Sequence, residues 1–225
     1  MSPRLETQAD LNTGLARLIA ADPRFAAVLA VAGPPMLRRR PGGFAGLASI
    51  IVSQQLSTAS ANAIWTRLAA QLNPFEPAAV RRARPIRLAR AGLSAAKIRA
   101  LKAIAKAVDG GTLDLAGLVD RPADDAHRTL IEVHGIGPWT ADIYLLFCLG
   151  HADAWPAGDL ALQEAARIAF ALPARPTAKQ MQALAEPWRP WRGVAATLLW
   201  TYYRTIKRRD PVPINPAAQE ARNGR

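Results

Sequence analysis

The chain has 225 residues, half of them apolar, enough for one globular unit or two closely packed lobes to bury a core. Lysine and arginine exceed aspartate and glutamate by 29 − 17 = 12, a balance that attracts polyanions and points to nucleic acid or an anionic membrane face. Cys148 is the one cysteine, which excludes a disulfide framework and any four-thiolate metal cage, an iron–sulfur cluster included.

Apolar residues recur at helical spacing, and no run alternates with period two, so the expected fold class is all-α. The spacing predicts helices over 10–21 and 23–32, then a loop or linker, PPMLRRRPGG, over 34–43 between an N-terminal lobe and the rest. Helices over 44–54 and 58–72 are separated by Ser53-Gln54-Gln55-Leu56-Ser57, a corner whose last serine can cap the second helix. The next helix, 94–108, starts at Ser94 as its N-cap. Helices over 124–134 and 138–149 flank a four-residue hairpin, His134-Gly135-Ile136-Gly137. Two glycines in so tight a turn permit positive φ and close approach of another backbone. Pro138 fits the first turn of the following helix, whose free amides face outward to meet an anion such as phosphate. Asp159 caps a helix over 160–171, and further helices are predicted over 177–185 and 188–207. Residues 210–225 are polar and proline-broken and read as a flexible tail.

The basic residues are unevenly placed. From Arg24 to Lys106 fourteen lysines and arginines accompany one acid, Glu76, which suggests a footprint for a polyanion. The bland explanation is base composition, since 24 of the 29 basic residues are arginine. His127, His134 and His151 show no paired ligand spacing. No apolar stretch reaches the length of a membrane span, and the first seventeen residues lack the order of a secretory signal, so the expected location is the cytoplasm.

Four ordered segments, IIVSQQLSTASA, GLSAAKIRALKAIA, LIEVHGIGPWTAD and PAGDLAL, resemble the helix-hairpin-helix DNA glycosylases, and within them the alkyl-base branch, DNA-3-methyladenine glycosylase II. The resemblance covers roughly Phe44 to Tyr203. It implies a two-lobed helical bundle over residues 1–209, N-terminal helices packing with C-terminal ones and the active-site cleft between the lobes. Forty-three residues precede Phe44 and read as helical, so the chain resembles a short form without the prototype's N-terminal sheet lobe. The implied activity is base-excision repair: a hydrolase that flips alkylated bases of the 3-methyladenine and 7-methylguanine type out of double-stranded DNA and leaves an abasic site.

By this resemblance Asp159, 159 − 137 = 22 residues beyond Gly137 and within Pro156-Ala157-Gly158-Asp159, is the catalytic carboxylate. Spacing alone makes it a plain helix cap. Its charge would stabilise an oxocarbenium-like sugar and orient water, and a base already cationic needs little general acid to leave. Trp139 stands where bifunctional relatives place a Schiff-base lysine, which implies a monofunctional enzyme; a lysine folding in from elsewhere, such as Lys97, stays open. The implied base pocket contains Trp139 and Trp200, with Trp155 beside the catalytic loop and Tyr144 as a further candidate. Trp65, Trp188, Trp191 and Asp142 read as structural.

The implied DNA contacts are His134, Gly135, Ile136 and Gly137 of the hairpin with Thr140, the corner Gln54, Gln55, Leu56 and Ser57, and Ser94 with Lys97. Gln55 or Leu56 would be the wedge that fills the gap left by the flipped base. No cofactor is implied, though hairpins of this family often hold a monovalent cation, here at the carbonyls of Ile131, Val133 and Ile136. The expected partner is damaged duplex DNA, bound by a monomer, with no membrane. Two other readings stay open: a non-catalytic helix-hairpin-helix DNA-binding module, and a glycosylase for another lesion.

Overall fold

Twelve α-helices and no strand make up the described part of the chain, residues 3–209 of a computed structural model. They are α1 (Gln8–Ala21), α2 (Arg24–Ala32), α3 (Gly43–Ser53), α4 (Thr58–Gln71), α5 (Pro77–Arg82), α6 (Pro85–Arg90), α7 (Ala95–Asp109), α8 (Ala123–Ile131), α9 (Pro138–Ile143), α10 (Leu160–Ala169), α11 (Ala178–Ala185) and α12 (Arg192–Arg209). The all-helical expectation holds. The tail expected at 210–225 lies outside the described residues.

Helix starts follow local chemistry. Thr7 with Asp10 and Thr177 with Gln180 form reciprocal capping boxes at α1 and α11, and Ser57, Ser94 and Asp159 cap α4, α7 and α10 with their side chains. Proline opens α5, α6 and α9, where its absent N–H costs nothing. The sequence pattern gave no sign of α5 and α6, each of six residues and too short to display a helical period. The segment expected as one helix over 138–149 changes winding at Tyr144, and Tyr144–Leu149 forms a π-helical turn ended by Gly150 at φ 79°. Such turns rotate the residues beyond them relative to a regular helix.

Two groups of helices share the core. The first two helices, α1 and α2, lie against α12, which also packs on α10. Helices α3 to α7 pack among themselves, and α9 joins them through α3. In the first group Trp188 is wholly buried against Phe25 and Trp155 at centroid distances of 4.9 and 5.5 Å, both edge-on, and its indole N–H donates to Asp22 at 2.9 Å. Where α12 begins, the buried Arg192 guanidinium donates to Asp153 from Nε and Nη2, and to Asp124 from Nη2, each at 2.8 Å. One side chain thus ties α12 to α8 and to the loop that leads into α10. The expected linker over 34–43 is no free connector. Arg40 N–H donates to the Phe147 carbonyl at 2.9 Å and Arg39 to that of Cys148 at 3.2 Å, so the segment is strapped across the π-helical turn.

The hairpin between α8 and α9 turns on Gly135. Its φ is +93°, and a Cβ there would overlap Ala100 on α7, so the residue must be glycine for conformation and for packing. Gly137 differs from expectation: its φ is −84° and a Cβ would meet nothing within 4 Å. Beneath the turn Ile136 is buried, and its N–H donates to Val133 at 3.0 Å. His127 Nδ1 lies 2.9 Å from the buried Asp142 carboxylate and joins α8 to α9. The hydrogen bond to Asp142 raises the His127 pKa, and burial raises that of Asp142.

Two outcomes follow for stability. Gly135→Ala is expected to lower unfolding free energy by about 1–3 kcal/mol, from overpacking and strained φ together, measured by urea denaturation. His127 binds its proton more tightly folded than unfolded, so its contribution is full below its ordinary value of 6.5 and is lost as pH rises through the raised folded value. The urea midpoint of the parent chain should therefore exceed that of His127→Gln most clearly at pH 6, and the gap should narrow toward pH 9.

Candidate active site

Asp159 is the last residue before α10 and stands at the end of a loop, 151–157, whose every residue is buried. That loop is held from within: Trp155 Nε1 donates to the Met181 carbonyl at 3.1 Å, and the buried Gln163 side chain donates to the Ala157 carbonyl at 2.9 Å. The carboxylate accepts three N–H groups. Oδ1 takes the Leu162 amide of α10 at 2.9 Å and the Trp200 indole of α12 at 3.2 Å, while Oδ2 takes the Trp139 indole of α9 at 2.8 Å. Capping and presentation are thus one arrangement, since a helix N-terminus stabilises negative charge at the place where the indoles aim it.

Around the carboxylate lies a cavity of about 300 Å³, near the lower end of ligand-pocket sizes. Its walls include Trp139, Ile143 and Phe147 from one helix face, and Thr197, Trp200, Thr201, Tyr203 and Arg204 from α12. Phe147 and Trp200 stack at 5.7 Å with planes 26° apart. The strap supplies Met36 and Arg38 to the rim of the cavity. No lysine lines it.

A second recess, about 700 Å³, lies between the corner and the hairpin, lined by Ser53, Gln54 and Gln55 on one side and residues 135–140 on the other. Trp139 belongs to both cavities. Gln55 is exposed with φ +55°, and Leu56 beside it is 40% exposed.

Several sequence expectations need correction. Trp155 is 2% exposed, packed edge-on against Trp188, and serves as a loop anchor with no face toward the cavity. Tyr144 is fully buried within the π-helical turn and also lines no part of the pocket. Thr140 is buried and accepts the Gln54 side-chain N–H at 2.7 Å, so the two clasp each other across the recess between corner and hairpin. Lys97 points inward, donating to the carbonyls of Val52 at 2.7 Å and Gln54 at 2.8 Å, and is a free amine neither for phosphate nor for a Schiff base. Ser57 and Ser94 cap their helices as the sequence predicts, and both stay exposed. Ile136 turns its side chain into the core. His134 is exposed on a separate recess with Arg81 and Lys106.

The structure adds wall residues that the sequence reading passed over: Met36, Arg38, Ile143, Phe147, Tyr203 and Arg204. Part of the signal was available. Trp139, Ile143 and Phe147 recur at four-residue intervals, and Trp200, Tyr203 and Arg204 at three and four, so each set shares a helix face. Among the described residues no group of three or more His, Cys, Asp or Glu could hold a metal ion, and no helix is long and apolar enough to cross a membrane. Cys148 is buried, which pushes its thiol up to about 11.

Comparison with known proteins agrees with this geometry. The family model of the HhH-GPD superfamily base excision DNA repair protein matches residues 48–190. DNA-3-methyladenine glycosylase 1 of Schizosaccharomyces pombe is 34% identical over 154 residues, covering 67% of this chain and 68% of that protein. The crystal structure of a DNA-3-methyladenine glycosidase from Bacillus halodurans superposes with a TM-score of 0.77 at 30% identity, over 85% of this chain and 89% of that one. The Schizosaccharomyces pombe 3-methyladenine DNA glycosylase Mag1, in complex with abasic DNA, gives 0.71 at 27% identity, over 84% of this chain and 95% of that one. With that match across most of its length, and with the hairpin recess and the carboxylate's aromatic cavity meeting at Trp139, the chain belongs to the HhH-GPD superfamily of base excision DNA repair proteins.

Proposed function

We propose that the protein is a monofunctional DNA glycosylase that hydrolyses the N-glycosidic bond of alkylated bases in duplex DNA and leaves an abasic site. One observation carries the reading: a carboxylate held by two indole N–H groups inside a cavity walled by their rings. The damaged nucleotide turns out of the helix at a cost of order a few kcal/mol, least for a weakened pair. Its base enters between the rings of Trp139, Phe147 and Trp200, where aromatic faces attract a ring that carries positive charge. The glycosidic bond breaks with its electron pair departing on the base. Positive charge then develops at the sugar, where Asp159 stabilises it and orients the water that adds to the anomeric carbon. A base already cationic departs as a neutral molecule, so no second carboxylate is required.

The absence of lysine from the cavity lining supports hydrolysis without strand cleavage. The hairpin supports a phosphate contact: Gly137 leaves open space above its backbone, and amides at a helix start suit an anion. A monovalent cation shared between that phosphate and the carbonyls of Ile131, Val133 and Ile136 fits the oxygen donors there, one of which, Val133, also accepts Ile136 N–H. It would hold the backbone of the DNA and take no part in bond cleavage. Gln55 or Leu56, exposed at the corner, fills the space in the base stack.

In Asp159→Asn, base release is expected to fall by about a hundredfold or more while affinity for abasic-site DNA persists, read by single-turnover assay and by anisotropy. Release at the parent rate would remove Asp159 from the chemistry. With a panel of lesions, 3-methyladenine and 7-methylguanine should leave ahead of neutral bases, and strand nicks should appear only after added alkali. Preference for 8-oxoguanine, or nicking without alkali, would reassign the substrate or the reaction.

A further inference from the structure

Lys97 occupies the first turn of α7, where the free N–H ends of the helix repel a cation, and burial lowers its pKa. The ammonium is nevertheless fixed, donating to the carbonyls of Val52 and Gln54 at 2.7 and 2.8 Å, at the C-terminal end of α3. There a cation is favoured, and helix carbonyls left without an amide partner are satisfied. The corner that follows has uncommon backbone. Gln54 leaves the helix at φ −55° and ψ 131°, and Gln55 sits at φ +55°, a region that a residue with a Cβ seldom occupies. A second tether, from the Gln54 side chain to Thr140, joins the corner to α9 one residue beyond Trp139.

We infer that Lys97 is a positioning residue for base eversion, its ammonium holding the 54–56 corner in the shape that brings Gln55 or Leu56 into the duplex. The inference rests on the function proposed above. Lys97 acts through the corner and touches neither phosphate nor base. Its contribution belongs to extrusion of the nucleotide, whereas Asp159 serves bond cleavage, and substrate choice separates the two. An unpaired strand has no partner base to release and little stacking to overcome, so excision from it needs Asp159 but not the corner.

The test follows single-turnover release of 7-methylguanine from duplex DNA and from the same strand unpaired. In Lys97→Met the duplex rate should fall about tenfold or more, while the single-strand rate stays within about twofold of the parent. Lys97→Arg, which keeps a cationic donor, should restore most of the duplex rate. Gln54→Leu, which removes the second tether, should show the same selective loss, and it carries the test alone if Lys97→Met loses its helical circular dichroism. Equal losses on both substrates, or an unchanged duplex rate, would overturn the assignment. Fluorescence of 2-aminopurine placed beside an abasic site reads eversion without chemistry: the parent chain should raise it and Lys97→Met should not, and equal rises would also overturn it. A parent chain that raises this signal yet releases no base would refute the proposed function and leave the positioning role standing.

Discussion

The carboxylate of Asp159 is shared by three helices, and the rest of the site is arranged so that this sharing can occur. Its own helix supplies one amide, α9 supplies the Trp139 indole and α12 supplies the Trp200 indole. A half-buried acceptor in an aromatic groove is costly unless its lone pairs are occupied, and here donors from both helix groups occupy them. For the indoles to arrive together, α9 must start at a fixed distance from α12. The buried 151–157 loop, the Arg192 ion pairs and the seat of Gly135 on Ala100 set that distance.

Positive charge is divided between structure and surface at close range. Along the strap, Arg39 and the Arg40 amide turn toward the carbonyls at the end of the π-helical turn, and Arg4 reaches the Leu149 carbonyl from the N-terminus at 3.1 Å. Arg38, between them, lines the cavity instead. The division falls between adjacent residues of one short segment. The same segment that connects α2 to α3 therefore lines the pocket and fastens the turn that presents Phe147.

Much of this was readable from the sequence, and the gaps have physical causes. Helix positions followed from apolar spacing, and Asp159 stood out because its place before an amphipathic run matched both a cap and a known pattern. What spacing could not supply was direction. Trp155 lies four residues from Asp159, yet its ring turns into the core because the loop is buried on that side. Lys97 read as a surface cation since nothing local reveals that α3 ends within reach of its ammonium, a contact 45 residues away in sequence. Tyr144, five residues beyond Trp139, falls on the other side of the helix and is buried, whereas Phe147 keeps the four-residue interval and reaches the cavity. The strap looked like a linker because a segment fastened by hydrogen bonds to backbone carbonyls leaves no hydrophobic period.

The two indoles have a double duty with a constraint attached. Each ring that would flank a bound base also grips, through its nitrogen, an oxygen of the carboxylate that would attend the reaction. A guest that tilts either ring must swing the carboxylate with it. Selectivity and reactivity in this groove are therefore geared to one another, and redesign of the rings for a different guest would also re-aim the acid beneath them.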